Sequence, residues 1–452
     1  MSARNRELLA LIPAALLIVI GFSAVFVARG DLTGGLSGTN EVSTISLTYG
    51  AMFLGLCIAA HVVLRFTLPD ADPYLFPLVA VLACFGLVEL YRIDVPLARQ
   101  QAEWFVLGLL LFAGTIIAVR DIRRLERYRY VIVTAGLVAL MLPRVPGIGA
   151  QTNGAYLAIS VGPLTMQTAE FAKIAMVIFL ASYLRETRQL LVTSGRRILG
   201  VTIPPLKHFG PMLVIWGTSM VLLFFIRDIG SSLMFFGAFL AMLYVATSRA
   251  SFVVVGGGLF AAGAWFVGTH VSHIQDRIHA WRDPFDPDLY NAVGGSQQLA
   301  QGLFAQADGG LTGRGFGNAV LDISAFVSGN CSSLINCSML PAPHTDLIYA
   351  VIVNETGLVG AAGLIAIYLM IVQRGFKIAM LARDSFSKLL ATGLTAVFAL
   401  QVFVIVGGVT KVIPLTGVTL PFVSYGGSSV LANFVLIALL LLVSDRARRL
   451  GK

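Results

Sequence analysis

Long apolar runs recur along this chain, with little charge inside them and too many consecutive apolar residues for a β-strand. A run of this kind is either a bilayer-spanning helix or a core helix of a large soluble protein. Their number decides between the two. Twelve can be read, at 8–27, 47–64, 74–90, 104–119, 130–142, 171–184, 212–226, 231–245, 252–267, 347–372, 389–406 and 429–443, and no soluble core needs so many. Of the 452 residues, 57% are hydrophobic and 12% charged, about half the charged share of a soluble protein. That composition excludes a soluble enzyme, a disordered chain and a disulfide-stapled secreted domain. A β-barrel would show short alternating segments instead. The expected fold is therefore all-α and polytopic, with about 12 transmembrane helices, of which the fifth and sixth are short.

An even number of spans puts both termini on one side of the bilayer. With the N-terminus inside, 22 of the 32 Lys and Arg residues fall on the inside and 10 elsewhere. This bias places both termini in the cytoplasm. It also explains the net charge of +9 by topology and contact with the anionic headgroups of membrane lipids, not nucleic acid, since no basic reading helix or aromatic-rich module accompanies it. No small-residue cleavage site follows the first run, so it reads as a retained helix and not a signal peptide. No internal repeat points to an inverted-repeat transporter.

The long polar stretch 270–346 then becomes one large extracytoplasmic loop. Trp281, Phe285, Tyr290, Phe304, Phe316 and Phe326 give it enough aromatic surface to pack on the membrane face. Two shorter outer segments are 143–167, rich in Gly and Pro, and 407–428. Cys331 and Cys337 lie in the large loop, where an oxidising compartment and a spacing that closes a small ring favour a disulfide. Cys57 and Cys84 sit within helices and read as small apolar residues.

Ionisable groups at membrane depth are costly unless paired, so each is a functional candidate. Glu170 and Lys173, three residues apart in Gln167-Thr168-Ala169-Glu170-Phe171-Ala172-Lys173, share one helix face. They read equally as a structural ion pair or as a substrate contact, with Glu170 holding Lys173 toward an anion. Trp281-Arg282-Asp283-Pro284-Phe285-Asp286-Pro287-Asp288 sets three carboxylates among two prolines that stiffen the segment. Such a carboxylate beside aromatic surface suits a general base, although a solvated acidic turn has the same composition. The run Gly309-Gly310-Leu311-Thr312-Gly313-Arg314-Gly315-Phe316-Gly317-Asn318 could bring backbone N–H groups and Arg314 to an anion. His344 and Asp346 precede the tenth span, as a catalytic pair or, preferably, as a helix cap and loop anchor. Asn354 and Glu355 lie about two turns inside it, facing either a polar cavity or polar atoms of another helix. Pro421-Phe422-Val423-Ser424-Tyr425-Gly426-Gly427-Ser428-Ser429 permits a broken, closely packed backbone. Lys411 and Arg227 add cations near the outer face. His61 reads as a polar core residue. No His or Cys grouping has zinc spacing, so no metal site is read.

Taken together these blocks resemble the RodA/FtsW/SpoVE family (SEDS: shape, elongation, division and sporulation), of the RodA-like actinobacterial type. The match is carried by 154–173, 283–318, 344–360 and 414–429, in that order and spacing. The resemblance implies a peptidoglycan glycosyltransferase that polymerises lipid II with inversion, releases undecaprenyl pyrophosphate and works with a class B penicillin-binding protein in a bacterial plasma membrane. It implies a catalytic carboxylate at Asp286, with Asp288 and Asp283 as alternatives because the spacing between the two Asp-Pro pairs is one residue short. Lys173, Glu170, Gln167, Arg314, His344, Asp346, Glu355, Lys411, Ser424 and Tyr425 become the expected substrate-binding set. A divalent cation (Mg or Mn) could help neutralise the pyrophosphate, but no ligand set demands one.

The chain departs from the family in Gly154-Ala155-Tyr156-Leu157-Ala158, where two cations and a Trp are missing, near Ile405, where an Asn is replaced, and in having two spans beyond ten. The expected division is 1–142, N-terminal helices including a two-helix extension, and 143–452, the catalytic core. A lipid II flippase and a non-catalytic scaffold for a penicillin-binding protein are the competing readings. The flippase needs a cavity open inward and no obligatory base; the clustering of carboxylates outside favours polymerisation.

Overall fold

The structure is a computed structural model that describes residues 3–33, 39–152, 155–161, 164–193, 196–198, 201–203, 206–226, 228–292, 295–317, 319, 340 and 342–450. The chain opens with α1 (Ala3–Ala10) and α2 (Ile12–Thr33), returns through α3 (Thr39–Thr67), and continues as α4 (Leu75–Ile93), α5 (Val95–Ala118), the short α6 (Arg123–Arg127) and α7 (Arg129–Met141). Strands β1 (Gly149–Thr152), β2 (Ala155–Val161) and β3 (Leu164–Gln167) lead into α8 (Ala169–Thr193). The hairpin β4 (Arg196–Ile198) and β5 (Val201–Ile203) precedes α9 (Leu206–Ile226), α10 (Ile229–Thr247) and α11 (Ala250–His270). The large loop contains α12 (Ser272–Arg282), α13 (Pro287–Asn291) and α14 (Gln297–Gly309), and the chain closes with α15 (Ile348–Leu381), α16 (Ser385–Val409) and α17 (Gly427–Arg449).

Eleven of the twelve expected spans fall on single helices, and the first, 8–27, runs across α1 and α2. Nine candidate spans among the described residues are long and apolar enough to cross a bilayer. Two of the others fall short for identifiable reasons: α7 has only 13 residues, and α8 carries Glu170, Lys173, Arg185, Glu186 and Arg188; α9 is an apolar helix of 21 residues. The protein is a multi-pass helical membrane protein. It is not strictly all-α, however. The Gly- and Pro-rich outer segment, within a chain expected to be all-α, folds as a three-stranded antiparallel sheet in the order β1-β2-β3. Glycine and proline deny it a helix, while Ile159 and Val161 favour a pleated strand.

Local chemistry sets several helix starts. Asp94 caps α5 by accepting from Leu97 N at 3.0 Å, Asp228 caps α10 from Ser231 N at 2.8 Å, and Asp384 caps α16 from Ser387 N at 3.1 Å. The core between α4, α5 and α17 is an aromatic cluster. Phe434 packs edge-on against Phe105, Phe112 and Phe422 with centroids 5.1–6.2 Å apart. Gly86 of α4 lets this packing close, since a Cβ there would lie 2.6 Å from the carbonyl oxygen of Phe422.

Hydrogen bonds tie the loops into two ends. At the arginine-rich end, Asp70 N and Asp72 N donate to Asp445 Oδ1 and Ser444 Oγ at 2.9 and 3.0 Å. Asp72 also pairs with Arg448 and, at 3.6 Å, with Arg374. Arg4 of α1 pairs with Glu7 and donates to Ala71 O, and Glu7 meets His61 Nδ1 at 2.7 Å. His61 is thus anchored at one ring nitrogen, while Nε2 is buried without a partner. Cys57 and Cys84 are buried free thiols, as expected. Cys331, Cys337 and Phe326 lie outside the described residues, as does Arg227. The opposite end carries β1–β3, the large loop and the segment between α16 and α17.

Candidate active site

The segment joining α16 to α17 is the hub of the loop end. Ser424 Oγ donates to Thr345 O at 2.9 Å and accepts from Leu420 N at 2.8 Å. Tyr425 N donates to His344 O at 2.8 Å, and its hydroxyl donates to Gln100 Oε1 at 2.6 Å. Gln101 of α5 donates to Ser424 O and accepts from Gly426 N. Ser428 Oγ accepts from Gln167 N at 2.7 Å, so the sheet strand β3 is tied to the start of α17. Phe422 adopts φ +64, and a Cβ on Gly427 would lie 2.1 Å from the Trp104 ring. The broken, tightly packed backbone expected for this motif is present.

Lys173 lies at the base of the hub. Its ammonium donates to Glu170 Oε2 at 2.6 Å and to Gln401 Oε1 at 2.7 Å. Gln401 in turn donates to Thr419 O at 3.0 Å and Ser429 Oγ at 3.2 Å. Lys173 is 2% exposed and Gln401 fully buried. Two of the three ammonium N–H groups are therefore taken by neighbours inside the protein.

His344 and Asp346 anchor the loop but do not cap α15. The N-cap of that helix is Leu347, without a side-chain cap bond. The His344 ring sits edge-on to Tyr425 with centroids 6.0 Å apart. Burial pushes the His344 pKa down, against the raising effect of Asp94 and Asp346. Burial pushes the Asp346 carboxyl up, opposed by Thr345, Arg277, His344 and Gln298. Arg277 also donates to Leu415 O at 3.2 Å, which brings α12 onto the hub.

The acidic segment follows directly. Trp281 Nε1 donates to Lys411 O at 3.0 Å, next to the left-handed turn at Lys411 (φ +62). Phe285 and Phe304 pack with ring centroids 5.2 Å apart. Asp286 is the N-cap of α13, and its Oδ1 accepts from Asp288 N at 2.9 Å and Leu289 N at 3.4 Å. Both bonds fall on one oxygen. Asp286 is half-buried, whereas Asp283 and Asp288 are exposed.

The glycine-rich run does not form an open anion cradle. Helix α15 breaks at Gly357 (φ +69, ψ −172), and the loop fills the break. Leu358 N and Val359 N, which would close helical bonds to Asn354 O and Glu355 O, donate to Gly310 O and Leu311 O at 3.0 and 3.2 Å. The abandoned carbonyls of Asn354 and Glu355 accept from Arg314 N and Gly315 N at 2.9 and 3.1 Å. The N–H groups of Gly313, Arg314 and Gly315 are thus all spent on carbonyls inside the protein. The Arg314 side chain is half exposed and pairs with Asp308 at 3.2 Å. Glu355 faces polar atoms of its neighbours and no open cavity: it pairs with Arg92 at 2.6 Å and accepts from Gly317 N at 3.0 Å. Asn354 Nδ2 donates to Ala305 O at 2.7 Å.

The structure adds residues that the sequence reading missed: Gln401, Gln100, Gln101, Arg277, Arg92 and Glu89. Gln401 and Glu89 had a signal, each being a polar group inside or at the edge of an apolar run. Glu89 is fully buried with both carboxylate oxygens unpartnered. Among the described residues no group of three His, Cys, Asp or Glu side chains could hold a metal ion.

The order of these elements can be compared with known proteins. The family model for FtsW, RodA and SpoVE, described as "Cell cycle protein", matches residues 73–449. The chain belongs to the FtsW/RodA/SpoVE family. Within it, the chain is 39% identical to the peptidoglycan glycosyltransferase RodA of Mycobacterium tuberculosis, over 99% of this chain and 91% of that protein. It is 30% identical to stage V sporulation protein E of Bacillus subtilis, over 83% of this chain and 98% of that protein. Its fold matches a solved chain from a peptidoglycan synthase complex that coordinates polymerization and crosslinking, with a TM-score of 0.65 at 27% identity, covering 84% of this chain and 98% of that one. It also matches the rod shape determining protein RodA of Thermus thermophilus, with a TM-score of 0.56 at 26% identity, covering 84% and 97% of the two chains. The FtsW/RodA/SpoVE match begins after α3. Helices α1–α3 precede it, yet fall within the alignment to the mycobacterial RodA.

Proposed function

We propose that this protein is a peptidoglycan glycosyltransferase that polymerises lipid II. The observation that carries the reading is Asp286: a half-buried carboxylate, fixed by its Oδ1 at the start of α13, on a loop docked to the hub through Trp281 and Arg277. The 4-hydroxyl of the acceptor's GlcNAc attacks C1 of the donor's MurNAc. Asp286 takes the hydroxyl proton, the new C1–O bond forms with inversion, and the bond from C1 to the diphosphate breaks. Undecaprenyl pyrophosphate leaves with the bonding electrons. Using Oδ1 for the cap holds the carboxylate in one orientation without occupying its other oxygen.

Lys173 has one ammonium N–H left for a phosphate oxygen of the donor, while Glu170 and Gln401 fix its direction. Arg314 and Lys411 add positive charge at the same end. Ser424, Tyr425, Gln167 and His344 shape the floor of the site through backbone bonds. Asp346 and Glu355 act as positioning residues. Any dependence on Mg or Mn would act through the donor's pyrophosphate, since the described carboxylates and imidazoles form no ligand set.

The arginine-rich end faces the cytoplasm with both termini, and the loop end faces outward; the distribution of basic residues supports this orientation. All twelve long helices span, 1–142 and 143–452 are the two parts of the chain, and the protein lies in a bacterial plasma membrane. A class B penicillin-binding protein is the expected partner, supported by the fold match to a chain of a peptidoglycan synthase complex.

The test is polymerisation of fluorescent lipid II by the purified protein, with and without that partner. Glycan made by wild type and lost in Asp286→Asn supports the reading. Polymer still made by Asp286→Ala removes Asp286 as the base. Translocation of lipid II without polymer would favour a flippase, and partner recruitment without any glycan would favour a scaffold.

A further inference from the structure

A second polar site lies at the arginine-rich end, away from the hub. The short helix α6 rests on the body of the protein through Ile122 and Leu125 and turns Arg123, Arg124 and Arg127 outward. Between α6, the start of α7 and the end of α8 is a groove of about 350 Å³ lined by Arg123, Glu126, Arg127, Arg129, Tyr130 and Glu186.

Arg129 in the groove and Arg185 beside it are held in ion pairs. Arg129 pairs with Glu186 at 2.6 Å, donates to Ser182 Oγ at 3.1 Å and stacks over the Tyr130 ring at 4.9 Å. Arg185 pairs with Glu126. These contacts use up both glutamates of the groove. The nearby Asp121 accepts from Arg123 N and pairs with Arg446 at 3.5 Å. Arg123, Arg124, Arg127 and Arg188 have no ion-pair partner among the described residues. Positive charges gathered on one groove with their local counter-charges already spent repel one another, and an anion relieves that repulsion.

The groove is also continuous with membrane-facing surface. Tyr130, Val131, Val138 and Met141 follow along α7 and are all exposed. A span helix with such an exposed face presents it to lipid. An anion whose charge fills the groove can therefore lay apolar tails on the same helix. Charge and apolar surface together select an amphiphile.

We propose that this groove binds the phosphate-bearing headgroup of an anionic phospholipid, with its acyl chains along α7. The forked guanidinium donors of Arg123 and Arg127 match phosphate oxygens, and Tyr130 sits at the boundary where an aromatic side chain with a polar tip is favoured. This site is independent of the glycosyl-transfer chemistry and uses none of its residues.

The full-length protein in phosphatidylcholine nanodiscs, doped with nitroxide-labelled phosphatidylglycerol or phosphatidylcholine, gives the immobilised fraction of each lipid by electron paramagnetic resonance. Wild type is expected to prefer phosphatidylglycerol by about fivefold or more. The triple variant Arg123→Gln/Arg124→Gln/Arg127→Gln should bring that preference close to parity, while the corresponding triple Lys variant, which keeps the charge, retains part of it. Lipid II polymerisation and thermal melting of the Gln variant should match wild type, showing that it folds. Equal immobilisation of the two lipids by wild type, or an undiminished preference in a folded Gln variant, overturns the proposal. Complete displacement of phosphatidylglycerol by millimolar inorganic phosphate also overturns it, because the groove then takes a free anion and not a lipid.

Discussion

The ammonium of Lys173 lies 2.7 Å from the side-chain oxygen of Gln401, a residue 228 positions further along the chain. Through this bond the ion pair of α8 is joined to α16, and through Gln401 to Thr419 and Ser429. A charge that looks local in the sequence therefore holds three elements of the site together.

Lys173→Met should destabilise the protein by about 3–5 kcal/mol, because it leaves Glu170 buried without its counter-charge. Adding Glu170→Gln should recover much of that stability. If Lys173 also serves the donor's diphosphate, the double variant melts near wild type yet makes no glycan. Thermal melting in detergent and a lipid II polymerisation assay on both variants separate the two roles.

Asp286 both caps α13 and serves as the proposed base, and a pair of substitutions divides these functions. Asp286→Asn keeps a capping oxygen, so the loop should remain folded while the rate falls by about 10²–10⁴. Asp286→Ala should show the same rate loss plus about 1 kcal/mol of instability. Asp288→Ala, at an exposed side chain, should retain most of the activity. A Asp288→Ala protein as inactive as Asp286→Asn would move the base by two residues.

The break in α15 depends on Gly357. A Cβ there would lie 2.3 Å from Gly313 N and 2.4 Å from Leu311 O, at a φ of +69. Gly357→Ala should thus cost about 1–3 kcal/mol from backbone strain alone, with the clash in addition. Arg92→Met, which leaves Glu355 without its partner, should likewise loosen residues 309–317. Limited proteolysis should cut this stretch faster in both variants than in wild type.

His344 predicts a sign for the acid response. Its pKa is pushed below 6.5 by burial in the folded state, so the unfolded chain takes up a proton first as pH falls. The stability it contributes is present above pH 6.5 and is lost as pH drops through the lowered value. Asp346 acts in the opposite sense. Its raised carboxyl gives stability below 3.8 that is lost as pH rises through the raised value, so it does not reinforce the loss near pH 6. The melting temperature of wild type should fall below pH 6.5, and His344→Gln should flatten that decline. Identical profiles for the two proteins would remove His344 from the acid response.

Much was legible in the residues. Apolar runs are a local property, and the expected spans are helical because a bilayer leaves the backbone no other local way to satisfy its N–H and C=O groups. The Pro421–Ser429 motif announced a broken, crowded backbone, since its glycines and serines suit little else. The sheet in segment 143–167 was not legible: strand pairing between β1, β2 and β3 joins residues whose partners no local pattern marks. His344 and Asp346 were preferred as a helix cap and loop anchor, but the N-cap of α15 is Leu347.

The sequence by itself determined where the apolar helices lie, which stretches are polar, and which family the chain resembles, because these follow from residue type and spacing along one dimension. Only the tertiary structure decided what the polar groups do. It turned the run 309–317 from an imagined anion cradle into a patch for the break in α15, and it gave Lys173 to Gln401 and Glu355 to Arg92. The reason is that a buried charge or an abandoned carbonyl must be satisfied by whatever the fold brings within about 3 Å, and residues 40, 228 or 263 positions apart become neighbours only when the helices pack.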